Sequence, residues 1–168
     1  LTAEALGTAL LIIAVVGSGI MASRLSPNDV GLQLLENAAA TAGALVGLIL
    51  IFGAVSGAHF NPVVTLVNCL LGTVTTRDAG LYVVAQTVGG CAGTVLANLM
   101  FELPAIEAST TTRSSGALWL SEVIATVGLL LVPLAIVPVI AWGGSALLLH
   151  GLAAGAVMGL SEYACVRL

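Results

Sequence analysis

Charge is scarce in this sequence. It has four arginines, no lysine and eight acidic residues, so that charged residues make up 7% of its 168 residues, against roughly a quarter in ordinary soluble domains. So few charges could not cover a water-facing surface, which argues against a soluble globular domain. The formal net charge of −4 also offers no basic patch for a nucleic acid.

Cysteine is scarce as well. Cys69, Cys91 and Cys165 lie in or beside apolar sequence, and they show neither an even count nor the spacing of metal ligands. We expect them to be small apolar packing residues rather than disulfide or zinc ligands. Because a nucleophile elbow, a phosphate-binding loop and a metal-ligand cluster are all missing from the sequence, we predict neither an enzyme nor a bound metal or cofactor.

Uninterrupted apolar sequence, by contrast, is abundant. Hydrophobic residues make up 59% of the chain, and four stretches, 5–23, 37–76, 79–101 and 123–161, carry no charge. A bilayer core of roughly 30 Å needs about 20 apolar helical residues. The first and third stretches each fit one membrane span, while the second and fourth are too long for one. The sequence therefore predicts an all-α integral protein of the cell membrane.

Polar turns and prolines divide these stretches into five predicted spanning helices and one polar loop at 102–116. The five predicted helices cover residues 3–22, 32–54, 80–101, 117–140 and 143–160.

A faint internal repeat accompanies this pattern. The residues at the head of the first predicted helix recur in the fourth: Ala3, Glu4 and Thr8 match Ser121, Glu122 and Thr126. Repeated halves are a common plan for membrane channels and transporters. We therefore interpret residues 1–168 as a single incomplete transmembrane domain, with a first repeat at 1–101 and a partial second repeat at 117–168.

The second uncharged stretch holds the most informative segment. Asn61 is a good helix N-cap, and Pro62 suits the first helical position, where its missing N–H costs nothing. The apolar residues 63–71 then predict a helix of about nine residues, which covers roughly half of the hydrocarbon thickness. Such a helix would be re-entrant, with the positive end of its dipole near the middle of the membrane. From the residues alone, Asn61–Pro62 could equally end a helix at the membrane surface.

Residues 56–66, Ser-Gly-Ala-His-Phe-Asn-Pro-Val-Val-Thr-Leu, resemble the first signature of the aquaporin (major intrinsic protein) family, usually written NPA. The starts of the first and fourth predicted helices and the pair Ala85–Gln86 resemble that family at the right spacings. The resemblance implies an aquaporin-like bundle of about five transmembrane helices plus one re-entrant half-helix. It also implies a passive channel for water or small neutral solutes, of the glycerol or metalloid type, that forms a homotetramer in the lipid bilayer. The N-terminus and the Asn61 loop would lie on the cytoplasmic side.

The resemblance also assigns roles at the pore. Asn61 would donate its side-chain N–H to a passing solute, and Pro62 and Val63 would complete the motif, although Val63 departs from the usual alanine. Thr41 and Met158 fall at constriction positions. Because water-selective members carry a large aromatic residue at the first of these positions, Thr41 implies a wider or more polar passage.

Four further residues would support the loops, according to the same resemblance. Glu4 and Glu122 would be buried carboxylates that accept hydrogen bonds from loop amides, since a lone charge within the membrane is costly. His59 would be a packed, structural histidine rather than a catalytic one, and Gln86 would be the fourth loop-supporting residue.

The second NPA motif, its selectivity arginine and the sixth helix of the family have no counterpart in this sequence. We therefore expect that the 168-residue chain alone does not form a selective pore. A non-conducting truncated fragment, or a partner of intact subunits, is the alternative to a channel. An ion-coupled transporter or a membrane enzyme is disfavoured, because Glu4 and Glu122 are the only intramembrane carboxylates.

Overall fold

The computed structural model describes residues 1–106 and 114–140, which form five α-helices. The predicted spanning helix at 143–160, with Met158, lies outside the described residues. The five helices are α1 (Thr2–Leu25), α2 (Val30–Ser56), α3 (Pro62–Leu70), α4 (Thr76–Met100) and α5 (Gly116–Ile140).

Three of these helices are long and apolar enough to cross a membrane. They are α1, α2 and α4, with 24, 27 and 25 residues, and at 1.5 Å per residue each exceeds the roughly 30 Å of a hydrocarbon core. The helix α5 also has 25 residues and is apolar. The helix α3, with nine residues, reaches only about 13 Å. The prediction of a short helix that begins at Pro62 and is capped by Asn61 is therefore confirmed.

The start of α4 corrects one predicted boundary. We predicted Gly80 as its beginning, within the uncharged stretch 79–101, but the helix begins at Thr76. The hydroxyl of Thr75 accepts a hydrogen bond from the Asp78 backbone N–H at 3.1 Å and donates one to its carboxylate at 2.8 Å. This reciprocal cap stabilises a polar first turn that hydropathy alone does not reveal.

Helix α1 packs against both α2 and α4, and α3 packs against α4. The contact between α1 and α4 is close because glycines of α4 face the backbone of α1. A Cβ atom on Gly93 would lie 2.5 Å from the carbonyl oxygen of Ala9, and one on Gly89 would overlap the carbonyl of Ala5. Small residues permit this approach in lipid, where helices associate by packing rather than by a hydrophobic effect.

Polar contacts fix the same arrangement at the far end of the bundle. The guanidinium of Arg24, in the last turn of α1, donates a 2.7 Å hydrogen bond to the carbonyl oxygen of Phe101 and lies 5.5 Å from the centre of its ring. Asn37 of α2 donates to the carbonyl oxygen of Val15 at 2.8 Å and to the hydroxyl of Ser18 at 3.1 Å. These contacts hold α1, α2 and α4 in one register.

We predict that Gly93→Ala separates α1 from α4 and lowers the stability of the bundle by about 1–3 kcal/mol, the usual cost of overpacking. Thermal unfolding in detergent measures the effect. Gly80→Ala on the same helix is the matched control, because a Cβ atom there meets nothing within 4 Å. Equal melting temperatures for the two variants would contradict the close contact.

Candidate functional site: a re-entrant loop on a buried carboxylate

The loop between α2 and α3 has an unusual backbone. Helix α2 ends at Ser56, and its C-cap is Gly57, whose φ of +85° is in the left-handed region. Ala58 and Phe60 follow with φ of +50° and +48°, a conformation that costs a residue with a side chain roughly 1–2 kcal/mol. Two non-glycine residues with positive φ, separated by a single residue, persist only where surrounding contacts hold the backbone in this conformation.

The carboxylate of Glu4 provides those contacts. It is fully buried on α1, and its two oxygens accept four hydrogen bonds. The donors are the Ser56 hydroxyl at 2.5 Å, the backbone N–H groups of His59 at 3.1 Å and Phe60 at 2.8 Å, and the Gln86 side-chain amide at 2.8 Å. A carboxylate offers about four acceptor positions, so this set fills it.

The same geometry turns backbone carbonyls away from Glu4. In a trans peptide the N–H of one residue and the C=O of the preceding residue point in opposite directions. Because the N–H groups of His59 and Phe60 point at Glu4, the carbonyls of Ala58 and His59 point to the other side of the loop. Neither carbonyl has a donor among the described residues. The loop therefore presents two bare acceptors side by side.

The side chain of Phe60 packs the loop against α1 and α2. It is buried, and its ring meets the ring of Phe52 edge-on at 6.0 Å between centroids. A Cβ atom on Gly7 of α1 would overlap this ring, so the ring fills the space that the glycine leaves. Phe60 thus adds apolar packing to the hydrogen bonds of Glu4.

Asn61 begins the half-helix. Its side-chain oxygen accepts a 2.8 Å hydrogen bond from the Val63 N–H, and Pro62 occupies the first helical position. The amide nitrogen of the Asn61 side chain has no acceptor in the part of the chain that the structure describes, so it can donate to a solute. Val63 is 43% exposed beside it. The start of α3 therefore combines a free donor with the positive end of the helix dipole.

Thr65 joins these parts, although it was not selected as a site residue from the sequence. Its side chain is fully buried, and its hydroxyl oxygen contacts the Asn61 carbonyl oxygen at 3.1 Å, the Gln86 amide at 2.9 Å and Nδ1 of His59 at 3.1 Å. The available signal was weak: Thr65 is the one hydroxyl residue of α3 and lies four positions after Asn61.

Tyr82 and Ser56 were also missed. The Tyr82 hydroxyl donates a 3.1 Å hydrogen bond to the backbone carbonyl of Ser56, and the Tyr82 and His59 rings lie 5.5 Å apart in an edge contact. Tyr82 therefore ties the C-terminus of α2 to α4. A tyrosine inside an apolar helix has no sequence pattern that distinguishes such a tie from simple packing.

The structure brings Glu4, His59, Asn61 and Gln86 into one hydrogen-bonded network, as described above. Thr41 is fully buried on α2 and has a polar partner; its place at a constriction stays a prediction. Glu122 lies on α5, also with a partner, and its loop-supporting role stays a prediction. Met158 lies outside the described residues.

The chain is similar in sequence to known proteins. The family model of the major intrinsic proteins matches residues 1–164. Aquaglyceroporin AqpS of Rhizobium meliloti (strain 1021) is 54% identical over 127 residues, which cover 76% of this chain and 54% of that protein. Probable aquaporin NIP7-1 of Arabidopsis thaliana is 34% identical over 125 residues, 74% of this chain and 44% of the relative. The chain thus spans about half the length of these curated relatives.

We predict that Glu4→Gln loosens the loop, because the amide replaces one acceptor by a donor and leaves buried N–H groups unpaired at about 1–3 kcal/mol each. Hydrogen exchange at the His59 and Phe60 amides should accelerate by roughly one to two orders of magnitude, as that energy implies. Asp29→Asn makes the same chemical change at the exposed cap of α2, where asparagine caps as well as aspartate. Unchanged protection in Glu4→Gln would show that Glu4 does not hold the loop.

Proposed function

The chain belongs to the major intrinsic protein family, and from that premise we propose that it contributes the wall of a transmembrane channel for water and small neutral solutes. The chain is a multi-pass integral membrane protein, and the family is one of channels rather than enzymes. The observation that carries the proposal is the re-entrant loop, whose bare carbonyls and free Asn61 amide stand at the start of a half-helix.

The loop is suited to replace water around a passing solute. A hydroxyl-bearing solute needs acceptors for its O–H groups and donors for its oxygens. The carbonyls of Ala58 and His59 supply acceptors, and the Asn61 amide supplies a donor. Since Glu4 and Phe60 fix the backbone before the solute arrives, little ordering is required at the moment of passage.

The same elements disfavour ions. The dipole of α3 places a partial positive charge at Pro62, which raises the energy of a cation or a proton nearby. The carboxylate of Glu4 lies on the opposite side of the loop, where its oxygens accept four hydrogen bonds from the protein. A neutral solute carries no net charge, so the helix dipole can orient it but imposes no comparable penalty.

The solute class follows from Thr41 and from the relatives. A threonine at position 41 leaves more room than the large aromatic residue of water-selective members, and one relative is named an aquaglyceroporin. We therefore propose glycerol-sized polyols, with water, as the transported solutes. The homotetramer rests on the family resemblance, and the mass of the detergent-solubilised protein tests it.

We predict that Asn61→Asp, in a chain extended through a second NPA motif (the completed channel), lowers both water and glycerol flux by roughly tenfold or more, because it removes the free donor and adds a charge within the membrane. Aspartate caps a helix as well as asparagine, so α3 should persist. Stopped-flow light scattering of proteoliposomes measures the flux. Asn28→Asp, which adds the same charge in the exposed turn after α1, is the control.

Undiminished flux in Asn61→Asp would contradict the proposed path. No flux from the 168-residue chain alone is the expected result. If the completed channel also gives no flux above that of empty liposomes, the alternative of a non-conducting partner of intact subunits is favoured instead.

We predict that Thr41→Phe in the completed channel lowers glycerol flux more than water flux, because a ring narrows the passage for the larger solute. Thr94→Phe places the same ring on an exposed face of α4 and serves as the control. Melting temperatures of both variants show whether the buried position still folds. An unchanged ratio of glycerol to water permeability in a folded Thr41→Phe would exclude Thr41 as a constriction residue.

A further inference from the structure

The hydroxyl of Thr65 has one proton and three polar neighbours. A threonine hydroxyl donates one hydrogen bond and accepts two. The three neighbours are the Asn61 carbonyl oxygen at 3.1 Å, Nε2 of Gln86 at 2.9 Å and Nδ1 of His59 at 3.1 Å. Because the Thr65 side chain is fully buried, water cannot supply a partner to its hydroxyl, and the direction of each of its hydrogen bonds follows from the protein groups alone.

The orientation of the Gln86 amide is fixed by Glu4. A carboxylate accepts hydrogen bonds and repels an amide oxygen, so the group of Gln86 that lies 2.8 Å from Glu4 is the NH2 group. The same nitrogen lies 2.9 Å from the Thr65 oxygen. Gln86 therefore donates to Thr65, which uses one of the two acceptor positions of that hydroxyl.

The carbonyl of Asn61 takes the hydroxyl proton. Two oxygens 3.1 Å apart without a proton between them repel each other, and a carbonyl has no proton to offer. If Thr65 donated to His59 instead, this contact would oppose two lone pairs. Donation to Asn61 leaves one acceptor position on Thr65, and Nδ1 of His59 fills it only if that nitrogen carries a proton.

We propose that Thr65 is a positioning residue that holds the neutral His59 in the tautomer protonated at Nδ1, and so makes Nε2 a hydrogen-bond acceptor for solute hydroxyls. The two ring nitrogens of histidine are distinct, and the partner of one decides the chemistry of the other. Here Thr65, Gln86 and Glu4 form the chain of partners that makes this decision.

The surroundings of Nε2 suit a solute contact. His59 is half-buried, and its Nε2 has no hydrogen-bond partner among the residues that the structure describes. Gly57 stands in front of it: a Cβ atom there would lie 3.1 Å from Nε2, so the missing side chain keeps the approach open. The carbonyls of Ala58 and His59 are acceptors of the same loop, and Nε2 extends this set with a side-chain acceptor.

The solute contact rests on the proposed function, whereas the tautomer does not. An unprotonated ring nitrogen accepts a hydrogen bond from an O–H group, but it has no proton to donate to an ether or carbonyl oxygen. The arrangement therefore favours hydroxylated solutes, polyols and water, over small solutes that only accept hydrogen bonds.

Nitrogen-15 NMR of the chain in lipid nanodiscs tests the tautomer directly. The sequence contains two histidines, His59 and His150, so a His150→Asn background leaves one imidazole to assign. At a pH where the ring is neutral, we expect the bare-nitrogen signal at Nε2. Thr65→Val keeps the shape but removes the hydroxyl, and it should move that signal towards Nδ1. Thr65→Ser restores the hydroxyl and should restore the original pattern.

An unprotonated Nδ1 in the unaltered protein would overturn the proposal, and so would a Thr65→Val spectrum that matches the unaltered protein. Either result holds independently of the flux measurements. In parallel, Thr65→Val should lower glycerol flux roughly two- to tenfold, the range expected from one lost hydrogen bond, and Thr65→Ser should retain it. A changed tautomer with unchanged flux would overturn the contact between Nε2 and the solute. These fluxes are those of the completed channel; if it does not conduct at all, the proposed function fails, and the NMR pattern still decides the role of Thr65.

Discussion

The structure depends on one buried charge. Glu4 lies with no solvent exposure in the first turn of α1, in surroundings where an unpaired carboxylate would be prohibitively costly. Four donors from two other parts of the chain compensate it: the end of α2 with the loop, and α4. Because removal of any donor leaves part of the charge unpaired, the loop conformation and the helix packing are energetically linked. A single carboxylate thus stabilises both left-handed residues, Ala58 and Phe60, in the loop between α2 and α3.

Close helix packing is what makes this compensation possible. Gln86 reaches Glu4 only because Gly89 and Gly93 let α4 approach the backbone of α1. Larger residues at those positions would move the Gln86 amide away from both Glu4 and Thr65. The small residues of α4 therefore have a role beyond helix association. They set the distance between α1 and α4 at which Gln86 can donate hydrogen bonds both to Glu4 and to Thr65 of the half-helix.

The sequence predicted much of this arrangement, and its failures have physical causes. Uncharged stretches predicted the spanning helices, and Asn61–Pro62 predicted the start of α3, because membrane thickness and helix capping are local rules. The family resemblance selected Glu4, His59 and Gln86. Thr65 and Tyr82 were not selected, since their importance comes from contacts with residues 21 and 26 positions away. The start of α4 was misplaced because the Thr75 side chain caps the helix and so allows a first turn that contains charged residues.

The proposed solute path is a geometric consequence of the hydrogen bonds that Glu4 accepts. A trans peptide cannot direct its N–H and its C=O to the same side. When Glu4 binds the N–H groups of His59 and Phe60, it necessarily turns two carbonyls outward, where no described residue pairs with them. Unpaired carbonyls are tolerated at membrane depth only where they line a water-filled passage or are buried in protein. The hydrogen bonds that stabilise one face of the loop therefore also leave two carbonyls unpaired on the other face. A neutral solute can donate hydrogen bonds to these carbonyls.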